Sequence, residues 1–199
     1  MDTIQLADFG SVGGKVLSPD TLAHVVLRTN NLRGMTEFYL NFLGGTVTYG
    51  NDIISFITYD DEHHRIAIIR VPGTNSKAPT SAGLEHIAFT FPTLPALLLA
   101  YRQRKALGIS PFWCVNHGPT TSIYYKDPDG NKIETQVDNF DNVESAIDFM
   151  NSSYFAENPV GTDFDAEELL EMIKAGVPES ELKKRAEIGP RELPSLEAM

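Results

Sequence analysis

Two kinds of hydrophobic spacing follow one another along this chain, and the succession occurs twice. Residues 22–27 read apolar, variable, histidine and then an apolar run, with His24 as the histidine. Residues 84–89 repeat that pattern with His86 in the same place. Behind each run the apolar residues change from strand-like to helical spacing. Met35, Phe38, Tyr39 and Phe42 stand at i, i+3, i+4 and i+7, preceded by Asn30 and Asn31 as cap candidates. Leu94, Leu97, Leu98 and Tyr101 follow Thr93, with Pro95 tolerated in the first turn. Gly44, Gly45 and Gly108 stop the two helices.

Three short strand-like runs come next in each copy, over 46–49, 53–59 and 66–71, and again over 112–115, 121–125 and 132–137. The turn residues Asp127, Pro128, Asp129 and Gly130 close the last hairpin. A repeat at this scale organises the whole chain. It predicts an α+β fold in which two βαβββ modules form a curved, mostly antiparallel sheet. The expected organisation is an N-terminal extension over 1–20, a domain over 21–138 and a helical tail over 139–199. The modules cover 21–72 and 84–138, and the polar segment 73–83 links them. Within the tail, 143–150 reads as a short helix and 165–175 as an amphipathic one ended by Gly176 and Pro178. The remainder has no core of its own and is expected to wrap the domain or a neighbouring subunit.

Composition narrows the function. At 199 residues the chain is long enough for one well-buried domain. Sixteen Lys and Arg against 27 Asp and Glu leave a net charge of -11, a field that repels nucleic acid. No apolar run reaches the roughly 20 residues of a membrane span, and the N-terminus lacks the basic and apolar regions of a secretory signal. The single cysteine, Cys114, excludes an internal disulfide framework and fits a reducing cytoplasm.

Superposing the two modules singles out His24, His86 and Glu134. Strand alternation over 132–137 puts Glu134 on one face with Lys132 and Gln136, and Ile133, Thr135 and Val137 on the other. A polar face on an inner strand needs a reason, and a metal supplies one. Setting residues 65–67 against 132–134 places Ala67 at the symmetry mate of Glu134, and alanine binds no metal. Two imidazoles and one carboxylate remain, leaving about three positions of an octahedral ion open, as in the facial triad of non-heme Fe(II) oxygenases. Phe112 and Trp113 are candidates to line a pocket, although strand packing also accounts for them.

These residues resemble the type I extradiol ring-cleavage dioxygenases of the vicinal oxygen chelate superfamily, in particular the one-domain forms acting on catechols and dihydroxybiphenyls. The resemblance covers about 22–137. Typical members have four modules, of which this chain keeps the metal-bearing pair. The resemblance implies an Fe(II) cofactor held by His24, His86 and Glu134, with an aromatic diol and O2 as substrates. The family motif of histidine, any residue, apolar residue and alanine is matched by His64, Arg65, Ile66 and Ala67, which implies His64 as the catalytic acid–base. It implies a further tyrosine near the iron, here Tyr124, and a substrate-binding histidine in the preceding loop, here His117. The distance from His117 to Tyr124 departs from the family spacing by a couple of residues. Rival readings are a glyoxalase, epimerase or thiol transferase of the same fold, or a non-enzymatic small-molecule binder. The long tail suggests a homo-oligomer, a dimer or larger.

Overall fold

The computed structural model of the chain describes residues 16–78 and 80–192, so most of the extension expected over 1–20 lies outside the described residues. The first repeat folds into β1 (Val25–Thr29), α1 (Leu32–Leu43), β2 (Thr46–Gly50), β3 (Ile54–Thr58) and β4 (Ile66–Arg70). The second folds into β5 (His86–Thr90), α2 (Leu94–Ala106), β6 (Trp113–Asn116), β7 (Thr120–Lys126) and β8 (Lys132–Asp138). Each module builds its own sheet, in the orders β1-β4-β3-β2 and β5-β8-β7-β6, so the strands form two sheets rather than one continuous surface. First and last strands pair in parallel in both modules, and the other pairings are antiparallel.

The helices begin and end where their residue chemistry dictates. The Asn31 side chain accepts the Gly34 amide at 3.1 Å, and Gly44 closes α1 in the left-handed region at φ 64°. Thr93 caps α2 by accepting the Ala96 amide. Both helices bury the apolar stripes that their spacing predicts: Met35, Tyr39 and Phe42 in α1, and Leu94, Leu97, Leu98 and Tyr101 in α2.

These stripes do not make two separate cores. Leu27, Ile57, Ile66 and Ile68 of the first sheet belong to one buried cluster with Ile87, Ile123, Tyr125 and Ile133 of the second. Direct ties cross the same interface. Tyr39 donates to the Asp127 carboxylate at 3.1 Å. Arg104, which is 3% exposed, donates to the Phe42 carbonyl at 2.8 Å and lies 3.9 Å over the Phe42 ring. Full burial of one Leu or Ile side chain contributes about 1.5–3 kcal/mol, against about 1 kcal/mol net for a hydrogen bond. The shared core therefore dominates what holds the modules together, and the polar ties fix their register.

The tail is integral to the second module. It forms α3 (Val143–Met150), α4 (Ser153–Glu157), β9 (Thr162–Asp163), α5 (Ala166–Lys174) and α6 (Glu179–Leu182). The two-residue β9, which has no sequence signal, pairs with the outer edge of β6. Leu169 and Leu182 enter the shared core, and the Glu179 carboxylate accepts the Leu94 amide at the start of α2 at 2.9 Å. Among the described residues no helix is long and apolar enough to cross a membrane.

Candidate metal centre

Register decides which residues of the two modules are equivalent. In the first, β1 runs beside β4 with Val26 opposite Ala67; in the second, β5 runs beside β8 with Ala88 opposite Glu134. The neighbouring antiparallel strands set Phe56 opposite Ala67 and Tyr124 opposite Glu134. Ala67 is thus the symmetry mate of Glu134, as the alignment of the repeats expects, and Phe56 is the mate of Tyr124. Alternation then gives each sheet two faces. Ile87, Ile123, Tyr125 and Ile133 point back into the shared core. His86, Tyr124 and Glu134 point to the front.

On the front of the second sheet, His86 Nε2 lies 3.0 Å from Glu134 Oε2, and Glu134 is only 5% exposed. Burial alone would raise the carboxyl, but hydrogen bonds from His86 and Ser122 outweigh it and hold Glu134 below its ordinary range. It is an anion at neutral pH. Tyr124 closes the cluster. Its hydroxyl is 2.9 Å from His117 Nε2, while His117 Nδ1 is 2.6 Å from the Val160 carbonyl. A carbonyl can only accept, so Nδ1 carries the proton, and in the neutral ring Nε2 accepts from the Tyr124 hydroxyl. Burial lowers the pKa of His117, which favours that neutral form, and burial together with Glu134 raises the pKa of Tyr124. Trp113 stacks on Tyr124 at 5.0 Å and donates from Nε1 to Asp163, which Arg191 holds in a two-oxygen ion pair.

The front of the first sheet carries the other two candidates. His24 stands one residue before β1 and is exposed. His64, 9% exposed, lies 4.3 Å from the His24 ring and stacks on Phe56 at 4.5 Å with 12° between planes. Burial, followed by the fields of His24 and His63, lowers the pKa of His64.

The six candidates therefore fall into two groups: His86, Glu134, Tyr124 and His117 in one, His24 and His64 in the other. Among the described residues no three His, Cys, Asp or Glu side chains converge in a way that holds a metal. Sequence reasoning missed Val160, Asp163 and Arg191, which position His117 and Trp113, because they lie far off in a tail without periodic pattern. Phe56 was legible in principle, as the symmetry mate of Tyr124. Cys114 is half-buried, and burial pushes its thiol up to about 12, so it is no thiolate nucleophile near neutral pH.

Comparison with known proteins places the sequence and the fold among relatives. Residues 21–135 match the sequence model described as "Glyoxalase/Bleomycin resistance protein/Dioxygenase superfamily". The chain is 47% identical over 167 residues to biphenyl-2,3-diol 1,2-dioxygenase 3 of Rhodococcus globerulus, covering 83% of this chain and 88% of that one. It is 42% identical to biphenyl-2,3-diol 1,2-dioxygenase 2 of the same organism over 157 residues, covering 78% and 83%. Among solved structures, a glyoxylase/bleomycin resistance protein/dioxygenase domain from Frankia sp. EAN1pec superposes with TM-score 0.51 at 16% identity, covering 61% of this chain and 93% of that one. The fosfomycin resistance protein FosX of Listeria monocytogenes superposes with TM-score 0.50 at 21% identity, covering 65% and 99%. At those identities the structural likeness speaks for the fold alone.

Proposed function

The chain belongs to the Glyoxalase/Bleomycin resistance protein/Dioxygenase superfamily, and from that premise we propose that it is an extradiol ring-cleavage dioxygenase acting with O2 on an aromatic diol of the biphenyl-2,3-diol type. One observation of the structure carries the reading. The buried Glu134 carboxylate is paired with His86 at 3.0 Å, while the symmetric position holds Ala67. That asymmetry leaves a donor set of two imidazoles and one carboxylate, completed by His24, rather than the four-donor set of a Lewis-acid site. Such a set fits Fe(II), and the buried anion at Glu134 supplies the charge a divalent cation needs. The kinship with two biphenyl-2,3-diol dioxygenases points to the same chemistry.

When bound, Fe(II) supplies the electron transfer that couples O2 to the diol. The protein's own groups do the rest. His86 and Glu134 would hold the ion, with His24 as the third donor that the family resemblance implies. Tyr124, anchored by His117 and stacked on Trp113, presents a neutral hydroxyl beside Glu134. Its raised pKa keeps that hydroxyl protonated, and with its proton given to His117 the oxygen is free to accept a hydrogen bond from a substrate hydroxyl. His64, with its lowered pKa, is neutral near pH 7 and can take a proton from a diol hydroxyl and later return it as the ring opens. The product arises by scission beside the two hydroxyls rather than between them. We further read the enzyme as a cytoplasmic homo-oligomer.

The test is anaerobic reconstitution with Fe(II), then addition of 2,3-dihydroxybiphenyl and air-saturated buffer. A yellow ring-opened product, with one O2 consumed per diol, is expected. Metal-loaded protein that consumes no O2 with any of a panel of catechols would overturn the proposal. His86→Ala and Glu134→Ala should each lose the metal.

A further inference from the structure

Tyr124 stands in one row across the front of the second sheet, between Trp113 on β6 and Glu134 on β8. Two neighbours fix its ring: His117 accepts its hydroxyl, and Trp113 stacks against it. Each neighbour is tied to the segment 158–163, His117 through the Val160 carbonyl and Trp113 through the Asp163 carboxylate. Two arginines from the stretch that follows α6 grip that segment in turn. We propose that Arg185 and Arg191 are positioning residues that orient Tyr124 by two separate routes. Arg185 acts through the turn around Val160 and then His117, and Arg191 through Asp163 and then Trp113. The inference rests on the dioxygenase reading only for what Tyr124 does in turnover.

The first route is built around a buried charge. The Arg185 side chain is 2% exposed, and all five N–H groups of its fork have an acceptor. Two of those bonds go to Glu187, which balances the charge. The other three go to the carbonyls of Asn158 at 2.7 Å, Tyr154 at 3.1 Å and His117 at 3.3 Å. The Asn158 side chain closes the turn by accepting the Gly161 amide at 2.8 Å and donating to the Gly161 carbonyl at 3.1 Å. One guanidinium therefore holds both ends of the bond between His117 and Val160. A fork with every donor committed leaves that geometry little freedom.

The second route lies nearer the surface. Arg191 donates to both oxygens of Asp163, at 2.8 and 2.9 Å, and to the Gly161 carbonyl at 3.1 Å. The Asp163 side chain is 57% exposed, so the pair adds little to stability in water. Its structural consequence is the fixed direction of the Trp113 indole, whose Nε1 donates to the same carboxylate at 2.8 Å. With the indole held, the Tyr124 ring keeps its stacking partner on the side away from Glu134.

Separate routes predict crossed signatures. In metal-free, isotope-labelled protein the neutral His117 ring should carry its proton on Nδ1, with resonances assigned by their loss in His117→Gln. Arg185→Lys keeps a charge beside Glu187 but offers three donors in place of five. It should mix the two tautomers and leave the emission of Trp113, the single tryptophan of the chain, unchanged. Glu187→Gln loosens the same fork from its more exposed end, and gives the same reading should Arg185→Lys not fold. Arg191→Gln and Asp163→Asn should shift the Trp113 emission to the red and leave the tautomer alone. In Fe(II)-reconstituted enzyme, shown to be folded by circular dichroism, each of these variants should turn over the diol roughly 10–100-fold more slowly. Lys174→Gln, which breaks an exposed ion pair elsewhere, should stay within about twofold of wild type. A tautomer or a turnover left unchanged by loosening Arg185 overturns the first route. An emission or a turnover left unchanged by Arg191→Gln overturns the second. Both signals moving together in every variant would mean that the tail loosens as one body, which overturns the proposal as well. If the wild type cleaves no diol, the dioxygenase reading falls, and the crossed spectra, which need no metal, still decide the positioning.

Discussion

His64 has aromatic rings on three sides: His24 at 4.3 Å, His63 at 4.4 Å and Phe56 at 4.5 Å. Packing alone would be served as well by a phenylalanine, which preserves the stack on Phe56 and deletes only the titrating nitrogens. His64→Phe therefore separates packing from chemistry. Bound Fe(II) and the thermal midpoint should stay close to wild type, while kcat falls by about 10²–10⁴, the usual cost of losing a general acid–base. Unchanged turnover would reduce His64 to a packing residue. Tyr124 illustrates a different kind of residue-level control. Because His117 gives its own proton to the Val160 carbonyl, it can only accept from Tyr124, so two hydrogen bonds in series fix which way the phenol points.

Between α4 and β9 the chain makes a turn that holds this series in place. Gly161 has φ +100°, and a Cβ there would stand 2.2 Å from the Asn116 carbonyl oxygen and 2.7 Å from the His117 Cα. Both the backbone conformation and the space exclude a side chain. Gly161→Ala should destabilise the fold by roughly 1–3 kcal/mol. It should also displace Val160, and with it the anchor of His117. Thermal unfolding of the metal-free protein checks the first effect, and a fall in turnover beyond the lost stability checks the second. An unchanged midpoint would mean that the turn relaxes freely. At the same scale, the matched registers of β1–β4 and β5–β8 show that the modules are equivalent residue by residue, so the contrast of Ala67 with Glu134 is a difference in chemistry and not in backbone.

For the molecule as a whole, the tail decides whether the second module can stand. Leu169 and Leu182 lie in the shared core, and Val160 and Ala166 are also buried. At about 1.5–3 kcal/mol for each large side chain, their loss is comparable to the roughly 5–15 kcal/mol by which whole domains are stable. A chain ending at residue 138 should therefore show no cooperative thermal transition by circular dichroism. A sharp transition near the wild-type midpoint would make the tail an accessory.

Local pattern alone determined the two βαβββ modules, the helix caps, the equivalence of His24 with His86 and the contrast of Glu134 with its counterpart Ala67 in the other module. All of these follow from periodicity and from repetition of short segments, which a linear sequence displays directly. The links of Val160 to His117, Asp163 to Trp113 and Arg104 to Phe42 join segments far apart in the chain, and no local spacing encodes them. The same holds for the largest structural choice. Alternation in β1 or β5 states which face of a strand is buried, yet it is silent on what buries it. Packing the modules through their backs or through their fronts would use the same alternation. Only the tertiary structure, by committing both backs to one core, separated His24 from His86 and Glu134, because apolar area is minimised by whichever surfaces fit and carries no address.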